Sequence, residues 1–542
     1  MGCGNNRFIG YLLANEHLDL FDYLLHQLEL RNIKILITPI AFWGNGYPER
    51  DEKTLGFSSV YGKDQSVVKE VAIKAQENYL QQLLNHVNPY TKTTYKEDQS
   101  IIAVEINNEP HHSGPKEKTT EYVNRLAAAI RSTGWTKPVF YNISESPWYS
   151  DAIAKANVEG HSFQWYPSGL VAGHEQKGNF LPNVDQYTIP FDSVPAYTNK
   201  ARMVYEFDAA DILQSYMYPA MARTYRTAGF QWCTQFAYDP MATAYANTEY
   251  QTHYLNLAYT PSKAISLLIA SKVFHKIPRL KSYGAFPSDT LFGDFRVSYK
   301  NSLSEMNSEE EFYYSNSTGT KPKDISKLKH IAGVGNSPVV QYEGTGAYFA
   351  DKIGNGVWRL EVMPDAIQIR DPFERASPKK EVTRIQWQVQ PIEVFLPGLT
   401  EDFEVVALDE GNTYSAVAHK SKFLIQPGSY EIKNKEIKGW YPVSNNVFLR
   451  NNEFVAPRPY STELFISHTP NIEVSPGKPF IISAKVAGLD TSDKISLELR
   501  TTQRWRNIPM QKKVAGEYAA DVPRRCCCAG SFDLSHHCPE SK

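Results

Sequence analysis

From residue 16 to about 277 the hydrophobic period switches repeatedly between that of an amphipathic helix and that of a buried strand. This alternation restricts the chain to few architectures. Leu18, Phe21, Leu25 and Leu28 fall on one helical face behind Asn15 as a cap. Residues 33–40 then read as a buried strand, and residues 66–85 as a long helix carrying Val67, Val71, Ile73, Leu80, Leu83 and Leu84. Further strands are expected at 101–108, 138–142, 161–166, 202–207 and 230–237, with helices at 121–131, 148–156, 216–227 and 261–275. Strands separated by helices pair in parallel, and at this length the expected form is an α/β fold, a (β/α)8-type TIM barrel. Only six strands can be read, and about 15 residues precede the first helix, too few for two more βα units. The expected barrel is therefore N-terminally incomplete, holding strands three to eight of the eight.

Behind the barrel, expected over residues 1–285, residues 286–330 read as a linker or transition. From about 331 to 467 the helical period vanishes. Short alternating runs such as Val357-Trp358-Arg359-Leu360-Glu361-Val362 lie between turn signals and predict an all-β, sandwich-like domain. Residues 468–523 read as a small Ig-like β module, with strands near 480–486 and 494–500. Residues 524–542 read as a disordered tail in which Cys526-Cys527-Cys528 and His536-His537-Cys538 crowd together. Three adjacent cysteines do not converge easily on one tetrahedral ion and no Cys-x-x-Cys pair occurs, so no metal site is expected there. Cys233 stands alone between Cys3 and Cys526, so the body is expected to owe nothing to disulfides.

Lys and Arg number 57 against 59 Asp and Glu, which leaves no net field for a nucleic-acid or anionic-membrane partner. No apolar run reaches the roughly 18 residues of a membrane span. No basic, apolar leader precedes the fold, so the chain is read without a signal peptide.

Two strands end on glutamates. Ile106-Asn107-Asn108-Glu109-Pro110 and Val204-Tyr205-Glu206-Phe207-Asp208 both read as apolar runs that close on a carboxylate, a costly placement unless the carboxylate is used. In a parallel barrel the C-terminal strand ends form the working face, so Glu109 and Glu206 should converge there. Two convergent carboxylates suit the splitting of a glycosidic bond: about 5 Å apart they form a retaining pair, and farther apart an inverting one.

Asn108-Glu109-Pro110 with Glu206 on a later strand resembles the clan A glycoside hydrolases, retaining enzymes on (β/α)8 barrels. The wording Glu105-Ile106-Asn107-Asn108-Glu109-Pro110 and Tyr205-Glu206-Phe207-Asp208 is similar to cellulase-like and galactosidase-like members, over roughly residues 11 to 277. The resemblance implies that Glu109 ends the fourth strand as general acid/base and Glu206 the seventh as nucleophile. It implies hydrolysis of β-glycosidic bonds in oligo- or polysaccharides by double displacement, with no cofactor, and a periplasmic or extracellular setting for the full-length enzyme. Asn108 is then expected to hold the sugar 2-hydroxyl, Tyr166 to hydrogen-bond Glu206, and Trp232 to form a stacking floor. Trp43, Trp165 and His111 are further candidates for the carbohydrate. The family also carries an arginine on the second strand to support the nucleophile, and this chain has no such strand.

Other readings stay beside these. Glu105, within the first glutamate strand, reads as a buried, paired structural carboxylate, and Asp208 and Asp211 read as loop or cap residues. His161 reads as a core histidine, and His112 as part of the loop after the strand. Trp358, Trp387 and Trp440 suit packing or polysaccharide binding. The whole chain could also be a carbohydrate-binding remnant gripping sugar through Trp43, Trp165 and Trp232 without cleavage, or a transglycosylase using the same residues.

Overall fold

The computed structural model describes residues 2–3, 10–41, 57–189, 194–438, 453–468, 475, 478–489, 493–500, 505–523 and 534–537. Six parallel strands form one sheet: β1 (Ile35–Ile37), β2 (Ile101–Glu105), β3 (Val139–Asn142), β4 (Gly160–Trp165), β5 (Ala201–Phe207) and β6 (Trp232–Gln235). They pair in chain order, β1 at one edge and β6 at the other, so among the described residues the sheet is open. These are the six expected strands, and the arrangement is that of a partial (β/α) barrel.

The helices are α1 (Glu16–Leu30), α2 (Phe57–Ser66), α3 (Glu70–Asn85), α4 (Lys116–Ser132), α5 (Ser150–Ile153), α6 (Met217–Thr227) and α7 (Pro261–Lys276). The Asn15 side chain caps α1, accepting from the Leu18 amide at 3.1 Å. The expected helix over 66–85 starts later, as α3, and an unexpected helix, α2, precedes it; Gly62 inside α2, at φ 62°, marks a kink. Leu80, Leu83 and Leu84 of α3 and Val123, Leu126 and Ile130 of α4 share one core with Val104, Val139 and Phe163 on the outer face of the sheet. The inner face carries a second, smaller cluster of Leu36, Ala103, Phe140, Met203, Tyr205 and Trp232. Gly160 must be glycine, because a Cβ there would lie 2.4 Å from the Phe140 ring.

The β-rich half starts earlier than expected. Residues 286–330, expected as a transition, carry the strands Leu291–Phe292, Phe295–Ser298, Leu303–Asn307 and Glu311–Tyr314 at one end of a ten-stranded sheet. Their shortness hid them, because each strand has five residues or fewer, too few to establish a period. One face of this sheet shares a core with the three-stranded sheet Val340–Tyr342, Gln390–Val394 and Lys422–Ile425, a sandwich closed by Tyr342, Trp358, Ile392, Val405 and Ile432. Its other face joins the barrel core through Phe295, Val297 and Met306, with Lys272 and Lys276 of α7 both paired to Glu311.

Trp358 and Trp387 of this half pack. Trp358 is fully buried and donates to the Pro397 carbonyl at 3.1 Å, while Trp387 donates to Pro457 and lies under Arg458. Trp440 is outside the described residues.

The C-terminal unit pairs Phe465–His468, Phe480–Ala487, Glu517–Val522 and Gln511–Val514 in one sheet. Ser496–Arg500 pairs with Trp505–Pro509 and with Leu534–His537 in another. The tail over 524–542, expected to be disordered, thus supplies one strand, whose backbone completes the edge of Ser496–Arg500. Cys526, Cys527, Cys528 and Cys538 fall outside the described residues. Cys233 is a free thiol, and no described helix is long and apolar enough to cross a membrane.

Candidate active site

The chain after β2 stays in register with the sheet: Asn107 bridges Ile40, and the Asn108 amide donates to the Ile40 carbonyl at 2.8 Å. Glu109 then adopts φ 48°, a left-handed conformation uncommon for a residue with a side chain. That turn takes its carboxylate out of the strand's alternation. The Pro110 carbonyl is held by the Ser146 hydroxyl at 2.8 Å, so the turn is anchored on both sides. Glu109 receives two partners, the Tyr205 hydroxyl at 2.5 Å on Oε1 and the Lys63 ammonium at 3.4 Å on Oε2.

A β-bulge builds the other half. Val204 pairs with Phe163 and Glu206 with Gln164, which leaves Tyr205 as an extra residue between them. Successive strand residues ordinarily point to opposite faces; the bulge breaks that rule and lets both Tyr205 and Glu206 address the same mouth. The Tyr166 and Tyr205 hydroxyls lie against Glu206 and favour its charged form. Burial pushes Glu206 up to about 7; the tyrosine hydroxyls oppose the rise, and the negative charges of Glu109 and Glu105 add to it. Tyr166 and Tyr205 are themselves driven far up by burial and by the adjacent carboxylates, so both remain donors. Burial lowers Lys63, against the pull of Glu109, Glu145 and Glu206.

Beneath the pair lies Glu105, the last residue of β2. It is fully buried, accepts from Thr38 at 2.8 Å, Asn142 at 3.2 Å and Ser162, and is pushed up to about 7, chiefly by burial. Its partners are hydroxyls and an amide rather than a cation.

The remaining expected residues divide. Asn108 is half-buried beside Glu109, and Tyr166 reaches Glu206. Trp165 does not join them. Its ring meets Tyr187 at 4.9 Å and Tyr225 at 5.3 Å in the helix-side core, because alternation along β4 turns it away from Tyr166. Trp232 also sits elsewhere: it opens β6, level with Met203 and three residues short of Glu206, in the inner-face cluster. Three residues of strand amount to about 10 Å of depth. Phe236, just past β6, occupies the strand-end level instead, its amide donating to the Phe207 carbonyl at 3.0 Å. His111 lies at the rim between Asp64, at 3.1 Å, and Glu145, at 3.3 Å. His112 is buried and bonded to the Tyr141 hydroxyl at 2.7 Å, and burial pulls it down to about 3. His161 is also buried, against Tyr197, and pulled down to about 3 by burial. Trp43 is outside the described residues.

Asp208 and Asp211, read as loop or cap residues, are both fully buried. Asp208 accepts from Tyr218 at 2.6 Å and pairs with His253 at 3.0 Å, while Asp211 accepts the Ala172 amide at 2.8 Å. Burial alone would raise Asp208, but Lys263, His253 and Tyr218 outweigh it and hold the group below its ordinary range.

Four residues at the site were not anticipated: Tyr205, Lys63, Phe236 and His253. Tyr205 had a signal in its place beside Glu206, but the bulge that makes it useful leaves no mark in composition. Lys63 sits in the unexpected helix α2, and a lysine in a polar run reads as solvated.

No family model matches this chain, and no curated protein matches it. Solved structures similar to it include an endo-1,4-beta-mannanase from Rhizomucor miehei, at 19% identity over 42% of this chain and 70% of that one, with a TM-score of 0.32. An endo-beta-1,4-mannanase from Thermotoga petrophila is similar at 14% identity, over 76% of this chain and 84% of that one, TM-score 0.38. Beta-glucuronidase 2 of Bacteroides uniformis is similar at 12% identity, over 77% of this chain and 61% of that one, TM-score 0.32. At these scores the likenesses assign neither fold nor activity.

Proposed function

We propose that this chain is a retaining glycoside hydrolase of β-linked sugars, with Glu109 as general acid/base and Glu206 as nucleophile. The observation that carries the reading is the convergence of the two carboxylates at the strand ends: the Tyr205 hydroxyl donates to Glu109 at 2.5 Å, and Glu206 is the next residue after Tyr205 at the bulge. A retaining pair of this kind stands about 5–5.5 Å apart so that one carboxylate attacks the sugar directly, whereas an inverting pair stands roughly 6.5–9.5 Å apart to admit a water.

The chemistry follows from this arrangement. Glu109 delivers a proton to the glycosidic oxygen while ionised Glu206 attacks the anomeric carbon from the other side, forming a glycosyl ester and releasing the leaving sugar. Glu109, now a carboxylate, takes a proton from water as that water cleaves the ester, which restores both groups. The Tyr166 and Tyr205 hydroxyls stabilise charge on Glu206 before attack. Asn108, beside the acid, is placed to hold the sugar 2-hydroxyl, and Phe236 to offer its ring as a platform. His111 stands at the rim for an outer sugar unit.

A panel of 2-fluoro aryl glycosides tests the assignment. Mass spectrometry of the digested protein should find the label on Glu206, and Glu206→Gln should abolish turnover of the parent aryl glycoside. Label on another residue, or turnover surviving Glu206→Gln, overturns the roles. Calorimetric binding of an oligosaccharide with no product over long incubation overturns the enzymatic reading in favour of a binding remnant.

A further inference from the structure

The segment between β6 and α7 brings His253 beneath the three strand ends that carry the site. The side chain is almost fully buried, at 2% exposure. Its Nδ1 lies 3.0 Å from Asp208 Oδ2, two residues beyond Glu206, and the other Asp208 oxygen is taken by Tyr218. The imidazole is enclosed by Tyr166 at 5.3 Å, Phe236 at 4.9 Å and Tyr250 at 5.4 Å between ring centroids. The backbone on either side is tied down as well. The Asp211 amide donates to the Thr252 carbonyl at 2.9 Å, and the Asp239 amide to the Leu255 carbonyl at 2.8 Å.

One ring therefore touches the ends of β4, β5 and β6 at once, through Tyr166, Asp208 and Phe236. The Asp208 bond orients it, and the imidazole packs on the Tyr166 ring, whose hydroxyl lies against Glu206. We propose that His253 is a positioning residue for Glu206, acting through the ring of Tyr166, and that it sets the tilt of Phe236 in the same way. The proposal rests on the reading of Glu206 as the nucleophile. A tyrosine ring that loses one wall can rotate, and a displacement of about 1 Å at a catalytic contact costs up to about a hundredfold in rate.

The test compares wild type, Tyr166→Phe, His253→Ala and the double variant in the full chain. Difference infrared spectroscopy follows the Glu206 carboxyl, assigned by subtracting Glu206→Gln, and needs no turnover. In His253→Ala the Glu206 midpoint should rise by about half a pH unit or more, matching Tyr166→Phe, with no further rise in the double variant. The acid limb of kcat/KM on an aryl glycoside should move with it, while kcat falls about tenfold or more and KM changes little. A wild-type midpoint in a folded His253→Ala protein, with only the melting temperature lowered, overturns the proposal. So does an additive shift in the double variant. If His253→Ala does not fold, His253→Gln keeps a partner for Asp208 but removes the flat wall; the same rise is expected, and a wild-type midpoint overturns the proposal. Absence of turnover in the wild type would refute the enzymatic reading alone, since the carboxyl titration still decides what His253 does.

Discussion

Glu206 and Asp208 stand two residues apart at one strand end, and their surroundings push them in opposite directions. Both are largely removed from water. Burial, with the charges of two other glutamates, raises Glu206 to about 7 although tyrosine hydroxyls oppose the rise. Asp208, more deeply buried, is held below its ordinary range because Lys263, His253 and Tyr218 surround it. Asp239 shows the limit of that help: burial raises it to about 8 although Lys263 also pulls on it. Desolvation therefore sets the charge of a buried carboxylate here unless cations and donors gather round it. The pocket around Asp208 is built to hold a charge permanently. The mouth around Glu206 leaves its charge adjustable, which suits the nucleophilic role proposed for it.

The contrast can be broken experimentally. Glu206→Gln should lower kcat by more than about a thousandfold and leave the fold intact, whereas Asp208→Asn should act on stability. Asp208→Asn leaves the buried Lys263 ammonium without its strongest counter-charge, and urea unfolding should show a loss of about 3–5 kcal/mol. Unchanged stability would mean that the Lys263 cluster does not hold Asp208 charged.

A smaller effect sharpens the Glu206 side. Because Glu206 must be ionised to attack, kcat/KM should fall as pH drops below about 7. Tyr166→Phe should carry that limb upward and slow the reaction about tenfold to a hundredfold; a limb left in place would deny the Tyr166 bond its role.

Stability should carry the same signature with opposite signs. Glu206 and Glu105 are raised from 4.5 to about 7, so the stability they contribute is complete below pH 4.5 and is lost as pH rises through 7. Glu206→Gln should therefore unfold later than wild type at pH 8, by about 1–3 kcal/mol, and no later at pH 4. Asp208, lowered, contributes stability at neutral pH that disappears on acidification. The smallest expected change is at Trp232: Trp232→Phe should leave KM within about twofold, while Phe236→Ala should raise it more, as steady-state kinetics on an aryl glycoside would show.

The elements that were legible share a physical reason. The six strands and the helices between them announce themselves by periodicity, Asn15 by its capping chemistry, and Glu109 and Glu206 by ending apolar runs. What stayed hidden depends on exceptions to periodicity or on neighbours distant in sequence. The bulge at Tyr205 reverses an alternation that a reader must assume. Trp165 and Trp232 carry the same aromatic signal as a sugar platform, yet one faces the helices and the other sits about three residues too deep. Asp208 and Asp211 read as loop residues because the tyrosine, histidine, lysine and amide that bury them come from positions 39 or more residues away, apart from Tyr218.

By itself the sequence determined an open run of βα units, a β-rich remainder and two strand-end glutamates, because hydrophobic period and strand polarity are local properties. Which charged groups meet is a property of the assembled fold. Lys63 and the Tyr205 hydroxyl both meet Glu109, and His253 contacts three strand ends. Those pairings depend on distances of a few ångströms between residues far apart in the chain, and over such distances burial and Coulomb forces outweigh any local preference.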